Sequence, residues 1–228
     1  LSIHALVIES ADHTIVVDTC IGNDKPRTYP KWNLMQGDFL ARFAAAGFTT
    51  EQVDTVLCTH MHVDHVGWNT RWADGRWQPT FPRAQYLFAE DEWHHWRQEA
   101  QEYGPVIEDS VQPIFDAGQA VIVAQQHQVT DEVSLQPTPG HTPGHVSVRI
   151  QSRGEVAIIT GDMIHHPCQI AHPQWSTLAD TDPRAAAQTR GDFLQRYGDQ
   201  PVLVIGTHFA APTAGHIVKD GNSYRLDY

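Results

Sequence analysis

Three histidines and one aspartate lie within six positions of the sequence, in the motif T-H-M-H-V-D-H. The motif directly follows an apolar run, Val53 to Cys58, which predicts a strand that is buried on both faces. At the end of an extended segment His60 and His62 point the same way, whereas Asp64 and His65 fall where the chain turns. One short loop can therefore supply ligands to two metal ions.

The donor types narrow the choice of metal. Imidazole and carboxylate ligands suit zinc, and also iron, manganese or cobalt, whereas an all-oxygen set would indicate magnesium or calcium. A single histidine beside a strand is usually a solvated side chain or a satisfied hydrogen bonder. Four potential ligands in one loop favour a metal site instead.

Three further candidates stand in similar places along the chain. His141 lies in P-G-H-T-P-G-H, Asp162 in a G-D pair and His208 in G-T-H. Each follows a predicted strand, where rigid backbone can hold a ligand still. The chain thus offers enough ligands for a dinuclear site.

Hydrophobic periodicity and turn residues predict the elements that position these ligands. Strands are expected at Ile3–Glu9, Thr14–Asp18, Val53–Cys58, Gln85–Phe88, Ala120–Ala124, Val133–Pro137, Val146–Gln151, Val156–Thr160 and Pro201–Ile205. Helices are expected at Asp38–Gly47, Glu90–Tyr103, Pro105–Asp116 and Pro183–Tyr197, irregular loops at Cys20–Trp32 and Trp68–Pro82, a turn at Ser10–His13 and a closing hairpin around Asp220–Asn222. This order predicts two sheets packed together with helices outside.

Taken in order, the four motifs resemble the metallo-β-lactamase superfamily over nearly the whole chain. The resemblance implies one domain over residues 1–228 with an α/β (α+β) fold, a four-layer αβ/βα sandwich with a two-metal site along one edge. It also implies the ligand sets: His60, His62 and His141 for the first metal, Asp64, His65 and His208 for the second, and Asp162 bridging both.

Two divalent cations, with zinc expected and manganese, iron or cobalt as alternatives, would activate a bridging hydroxide to attack a carbonyl or phosphoryl centre. Asp64 or a metal-bound water would then pass on the proton. The resemblance therefore predicts a metal-dependent hydrolase.

The substrate class is narrowed by departures from related patterns. Asp162 argues against a true β-lactamase, and His62 argues against the flavodiiron proteins, which carry Glu at that place. The overall pattern resembles most the branch of acyl-homoserine lactonases and methyl parathion hydrolase. Lactonases typically have Tyr and Asp where this chain has His165 and Phe209, so an organophosphate triester hydrolase is the alternative. His165 is a candidate to hydrogen-bond the substrate carbonyl or leaving group.

Aromatic residues in predicted loops suggest an apolar substrate pocket. Trp68, next to the ligand loop, is the first candidate, and Trp32, Trp175 and Phe209 are the others. The alternative is that such rings cover the sheet edges as local cores. An apolar pocket favours a small ester or lactone over a glutathione thioester, for which a basic anchor would be expected.

The remaining histidines receive simpler interpretations. His145 is expected to be structural, His166 a surface residue, and His94 and His95 solvent-facing on a helix. Two other function classes stay open on the same motifs: a mononuclear-iron dioxygenase, and a non-catalytic module that binds a small molecule.

Composition limits the partners. The formal net charge of −12 leaves no clustered basic surface for nucleic acid, and no apolar run approaches the roughly 18 residues of a membrane span. We expect a small-molecule substrate, with a homodimer as one option. Three widely spaced cysteines and the absence of an export signal at the start predict a reducing, cytoplasmic location. Because the chain begins at Leu1, directly beside the predicted strand Ile3–Glu9, we expect further sequence upstream.

Overall fold

The computed structural model describes residues 1–11, 13–99 and 103–228. Within these ranges the contacts divide the chain into two compact units. The first unit is formed by residues 4–88 and 93–122, and the second by residues 1–3, 89–92 and 123–228. Parts of the predicted turn at residues 10–13 and of the helix predicted to end at Tyr103 lie outside the described residues. One domain over residues 1–228 stays a prediction.

The first unit contains a mixed sheet with strand order β1-β2-β3-β6-β7. Strands β1 and β2 are antiparallel, whereas β3 runs parallel to both β2 and β6. All residues of β3 are buried, as its apolar composition predicts. The strands of this part of the chain are β1 (Leu6–Ser10), β2 (His13–Val17), β3 (Thr55–Leu57), β4 (Thr70–Ala73), β5 (Arg76–Pro79), β6 (Gln85–Ala89) and β7 (Ala120–Val123).

Helices accompany this sheet near the predicted places. They are α1 (Phe39–Ala45), α2 (Glu90–Trp96) and α3 (Gln112–Asp116), the last preceded by a π-helical turn at Ile107–Val111. The predicted helix Pro105–Asp116 is therefore present, but with a wide first turn. Phe43 of α1 is buried in the apolar core of this unit.

A β-hairpin stands where the sequence predicts only an irregular loop, Trp68–Pro82. Strands β4 and β5 pair antiparallel, and the rings of Trp72 and Trp77 meet across them at 5.1 Å between centroids. Asp74 and Gly75 form the two-residue turn, both with positive φ (52° and 76°). Asp-Gly is a strong sequence signal for such a turn. The loop prediction was therefore wrong here, because this signal was not given enough weight.

Lys25, Arg27 and Asp109 form a buried charged cluster that connects loop residues to the first unit. Lys25 is fully buried, and its Nζ donates to Thr70 Oγ1 (2.7 Å) and to the Asp109 carbonyl (2.9 Å) while lying over the Trp77 ring. Arg27 donates to both carboxylate oxygens of Asp109, at 2.6 and 2.9 Å. Burial lowers the pKa of Lys25 to about 7, against the opposing attraction of Asp109.

The second unit contains the other large sheet, in the order β14-β13-β12-β11-β10-β9-β8. Neighbouring strands are antiparallel except for β11 and β12, which are parallel. The strands are β8 (His127–Gln128), β9 (Val133–Pro137), β10 (Val146–Ser152), β11 (Glu155–Ile159), β12 (Val202–Ile205), β13 (Ala214–Asp220) and β14 (Ser223–Asp227). The sequence analysis identified these apart from the short β8 and the separate strands of the closing hairpin.

Helix α5 (Pro183–Tyr197) has the bounds that the sequence predicts. The Asp182 carboxylate accepts from the backbone N–H groups of the first turn, and Pro183 occupies a position where no N–H is required. Phe193 and Leu194 bury the inner face of the helix in the apolar core of this unit. The short helix α4 (Cys168–Ala171) was not predicted.

Two properties of the whole chain bear on its environment. In the part of the chain that the structure describes, no helix is long and apolar enough to cross a bilayer. Cys20, Cys58 and Cys168 form no disulfide among the described residues, and Cys58 is buried, as expected for a small residue of a core strand end.

Candidate metal centre

The ligand loop of the first unit begins where β3 ends. Asp18, just past the end of β2, is buried and lies beside this loop because β2 and β3 are parallel neighbours. Its carboxylate accepts from the Thr59 N–H (2.8 Å) and the Thr59 hydroxyl (2.9 Å), and lies 2.8 Å from His65 Nδ1. One buried carboxylate thus holds both ends of the T-H-M-H-V-D-H loop.

The same network fixes which ring nitrogens can bind a metal. The Thr59 hydroxyl has one proton and gives it to Asp18, so its 3.1 Å contact with His60 Nδ1 requires that Nδ1 donates. His65 Nδ1 donates to Asp18 in the same way. In both rings the lone pair is therefore on Nε2, the arrangement that outer partners impose on metal-binding histidines.

The remaining members of the loop complete two groups. His60 Nε2 lies 2.9 Å from His62 Nδ1, near the separation of about 3.3 Å expected for two nitrogens on one tetrahedral zinc. Asp64 Oδ1 lies 3.7 Å from His65 Nε2. The structure therefore sorts the loop into the His60–His62 and Asp64–His65 pairs that its spacing predicts.

An apolar cavity adjoins His62 within the first unit. The Trp96 ring packs edge-on against the His62 imidazole, with 5.2 Å between centroids. The cavity is lined by Met61, His62, Val63, Trp96, Tyr103, Val106 and Ile107. The sequence analysis did not identify Trp96 or Tyr103, and only their nearness to a long aromatic-rich helical pattern could have suggested them.

In the second unit the three remaining candidate ligands lie together. Asp162 Oδ2 is 3.4 Å from His141 Nε2, and Asp162 Oδ1 is 3.1 Å from His208 Nε2. The two oxygens of one carboxylate thus face two different histidines. The bridging role that the sequence resemblance implies for Asp162 stays a prediction, and this placement is compatible with it.

Outer partners again set the ring orientation. His141 Nδ1 lies 2.9 Å from the buried Asp180 carboxylate, and His208 Nδ1 lies 2.7 Å from the Ser2 carbonyl. Both contacts leave the Nε2 lone pair directed at Asp162. Burial is the largest single influence on Asp180 and opposes its ionisation. The hydrogen bonds from His141 and the Thr177 N–H, together with the charges of His141 and Arg190, outweigh burial and lower the pKa of the Asp180 carboxyl below its ordinary value.

His145 has the structural position expected of it. Its Nε2 accepts from the Asp162 N–H at 2.9 Å, and its Nδ1 lies 2.8 Å from the Thr138 hydroxyl. Because both ring nitrogens are engaged, His145 positions the backbone of Asp162. His166 is exposed, as predicted, whereas His94 is exposed and His95 is half-buried against Trp96.

His165 lies within the second-unit cluster. Its Nε2 is 3.1 Å from Asp162 Oδ2, and its ring stacks parallel to that of His208 with 5.8 Å between centroids. Its Nδ1 is buried and has no hydrogen-bond partner among the described residues. A buried nitrogen in that state is uncommon and suggests that a ligand completes it.

The four aromatic candidates for substrate binding occupy different surroundings. Trp32 is half-buried at the margin of the first-unit core, and Trp68 is buried and stacked on Phe39. Trp175 is exposed and stacked on a neighbouring histidine, whereas Phe209 is fully buried in the second-unit core. Substrate contact stays a prediction for all four, and the burial of Phe209 favours a packing role.

The donor chemistry fits divalent cations of the zinc type. Each unit presents imidazole lone pairs with a carboxylate beside them, and buried partners fix their orientation. Nitrogen and carboxylate oxygen sets of this kind suit zinc, iron, manganese or cobalt. The arrangement is therefore compatible with a metal site in which water is activated for hydrolysis.

Comparison with known proteins identifies a family. The sequence model of the "Metallo-beta-lactamase superfamily" matches residues 1–209. Two curated relatives named "probable metallo-hydrolase", from Mycobacterium tuberculosis and Mycobacterium bovis, are each 24% identical over 189 residues, which are 72% of this chain and 57% of the relative. The chain thus spans a little over half the length of these relatives.

Solved structures share the fold. AidC, described as a dizinc quorum-quenching lactonase, superposes with a TM-score of 0.82 at 21% identity, over 99% of this chain and 78% of its own. The hydrolase AbOPH superposes with a TM-score of 0.82 at 25% identity, over 98% and 78%. A "probable metal-dependent hydrolase" from Staphylococcus aureus gives 0.77 at 22%, over 98% and 81%. The predicted α+β fold class is confirmed.

Proposed function

The chain belongs to the metallo-β-lactamase superfamily, and on that premise we propose that it is a metal-dependent hydrolase of small, largely apolar esters or lactones. The observation that carries this proposal is the orientation of four imidazole rings. In His60, His65, His141 and His208 a hydrogen bond at Nδ1 leaves the Nε2 lone pair for a metal. Histidines that serve only as packing residues have no need of this common orientation.

We propose that the ligands of both units hold two divalent cations, with zinc as the expected metal. The ligand sets are those that the resemblance implies: His60, His62 and His141; Asp64, His65 and His208; and Asp162 common to both. When bound, two such cations lower the pKa of a water molecule and polarise the oxygen under attack. The chain's own residues do the rest.

Two side chains are proposed to act on the substrate or its protons. His165 Nδ1 is buried and available to hydrogen-bond the substrate carbonyl or the leaving group, while its other nitrogen lies 3.1 Å from Asp162. Asp64 is half-buried at the end of the ligand loop and can accept a proton and release it to solvent.

The proposed substrate class is supported by the apolar side chains that line the small cavity beside His62. Because its open space is only about 10 Å³, we propose that an apolar substituent packs against Trp96 and Tyr103 rather than filling the cavity. We retain Trp32 and Trp68 as candidates for further apolar contacts. A substrate with a large charged portion would find no basic partner in this cavity lining.

An organophosphate triester is the second candidate substrate. His165 and Phe209 stand where lactonases typically carry Tyr and Asp, and this departure supports a chemistry other than lactone opening. A phosphotriester presents the same apolar substituents around a centre that hydroxide can attack.

The remaining expectations concern surroundings. A small-molecule substrate rather than nucleic acid is proposed from the net charge of −12. A reducing compartment, such as the cytoplasm, is proposed because the three cysteines form no disulfide among the described residues.

The test combines metal analysis with turnover on one preparation. The protein is loaded with zinc, its metal content is measured, and rates are determined for a lactone, an aryl ester and an organophosphate triester. We expect two metal ions per chain and the highest kcat/KM on a lactone or ester. One iron per chain with oxygen consumption would instead indicate a dioxygenase, and bound metal without turnover would indicate a binding module.

Asp162→Ala gives the sharpest variant, with Asp192→Ala as the control because Asp192 is an exposed acidic residue of the same unit. Asp162→Ala should lose one metal ion and at least 100-fold in kcat, in line with the loss of a metal and its activated water. Full turnover by Asp162→Ala with one bound metal would refute the two-metal scheme.

A further inference from the structure

Arg190 is the largest side chain that is completely buried in the described residues, and none of the proposed chemistry uses it. It lies on α5, whose other inward-facing residues are largely apolar. Burying a guanidinium is costly unless hydrogen bonds and a counter-charge replace its water. What Arg190 contacts therefore indicates why the position is polar.

The guanidinium holds two parts of the second unit. Its Nε donates to the Pro173 carbonyl and its Nη2 to the Trp175 carbonyl, both at 2.9 Å, and Nη1 donates to the Met163 carbonyl at 3.3 Å. These carbonyls come from the segment that follows Asp162. A planar donor group with several N–H bonds in fixed directions is suited to hold an irregular backbone in one shape.

One branch of these contacts leads to His141. Arg190 Nη1 lies 3.7 Å from Asp180 Oδ2, and the other oxygen, Oδ1, lies 2.9 Å from His141 Nδ1. The Thr177 N–H also donates to Asp180 Oδ2. Asp180 thus faces Arg190 with one carboxylate oxygen and the His141 ring with the other.

The other branch leads to His165. The Trp175 carbonyl that accepts from Arg190 also accepts from Gln169 Nε2 at 2.9 Å, and Gln169 Oε1 accepts from the His165 N–H at 2.8 Å. Gln169 is itself buried. The backbone of His165 is thus connected to Arg190 through the Gln169 side chain and the Trp175 carbonyl.

We propose that Arg190 is a positioning residue for the metal centre, acting on His141 through Asp180 and on His165 through Gln169. This inference rests on the proposed function, since it assumes that His141 binds a metal and that His165 faces the substrate. The buried Arg190 side chain then fixes the positions of His141, a proposed metal ligand, and His165, a proposed substrate-binding group, relative to each other. Helix α5, which carries it, contributes no proposed ligand.

The experiment compares Arg190→Lys with Arg184→Gln, an exposed arginine of the same helix, in zinc-loaded protein. Zinc affinity is measured by competition with a chromogenic chelator, alongside Tm, kcat and KM. Arg190→Lys keeps the charge but loses the planar set of donors, so the weaker-bound zinc should dissociate at least 10-fold more readily, as for loss of other outer partners of metal ligands. The Arg184→Gln variant should match the wild type.

Asp180→Asn tests whether Arg190 acts on His141 through Asp180. It also provides a measurement if Arg190 variants fold poorly. If Arg190 acts through Asp180, the single variants and the double variant should have non-additive effects on zinc affinity. If only Asp180→Asn folds, a zinc affinity at least 10-fold weaker supports the step from Asp180 to His141 on which the proposal depends, and an unchanged affinity overturns the proposal.

Wild-type zinc affinity in Arg190→Lys with a lowered Tm would also overturn the proposal, because that is what a merely structural arginine would give. So would additive effects in the double variant. Failure of the wild type to bind zinc at all would refute the proposed function instead, so the two failures are distinguishable.

Discussion

Replacing Lys25 by Met should change how the free energy of unfolding depends on pH. Lys25 is fully buried among Thr70, Asp109 and Trp77, and burial lowers its pKa from 10.5 to about 7. Below pH 7 the ammonium is protonated in both the folded and the unfolded chain, so it adds no pH dependence. Between pH 7 and pH 10.5 the unfolded chain keeps a proton that the folded chain has released.

The sign and size follow from that difference. Stability rises with pH wherever the unfolded state binds more protons, at about 1.4 kcal/mol per pH unit for one group. The wild type should therefore gain roughly 2 kcal/mol relative to Lys25→Met between pH 7 and pH 9. At about pH 6 and below, the difference in unfolding free energy between the two proteins should no longer change with pH, because Lys25 is charged in both the folded and the unfolded chain there.

The assay is urea unfolding followed by tryptophan fluorescence at pH values from 6 to 9.5, at equal metal loading. Other groups titrate over this range, but they are common to both proteins and cancel in the difference. Lys31→Met is the matched control, since Lys31 is an exposed lysine of the neighbouring loop, and its difference from the wild type should not vary with pH. A flat difference for Lys25→Met as well would refute the reasoning, because it would mean that Asp109 fully offsets the burial of the charge.

Two further predictions concern single positions near the ligand loop. Asp18→Asn should weaken zinc binding about 10-fold to 100-fold, measured by chelator competition, because Asn cannot accept from all the donors that Asp18 now serves; unchanged affinity would mean that Asp18 does not orient the ligands. Gly67→Ala should lower the free energy of unfolding by about 3 kcal/mol or more, because an added Cβ would lie 1.9 Å from the Ile21 carbonyl. Gly75→Ala, at φ 76° but with open space around it, should cost about 1 kcal/mol, and equal losses for the two glycines would contradict this explanation.

The parts of the fold that could be predicted are those specified by local sequence. Helix α5 was identified to the residue because Asp182 caps it, Pro183 starts it and Gly198 follows it. The hairpin of β4 and β5 was missed although Asp74-Gly75 is a local signal, because the surrounding Gly, Pro and Trp residues favoured a loop. The π-helical turn before α3 has no simple local signal in the sequence, and its residues Asp109, Ser110 and Val111 are buried.

The candidate site divides along the same line. Motif spacing and resemblance identified the proposed ligands, and their pairing within each unit depends on strand ends that the sequence also predicts. The residues that orient the proposed ligands were not identified from sequence. Asp18 and Asp180 contact their histidines, and Arg190 contacts Asp180, only in the folded chain. Trp96 was missed for the same reason: its helix was predicted, but no periodicity shows which ligand its ring will contact.

The cavity beside His62 has a consequence for how such an enzyme could diversify. Its walls are drawn mostly from residues 93–111, a segment that carries none of the proposed ligands. Replacements in this segment would therefore change the residues beside His62 without removing a proposed metal ligand. Substrate preference and the hydrolytic step would then depend on different residues, so substitutions could change the substrate without first removing the proposed metal ligands.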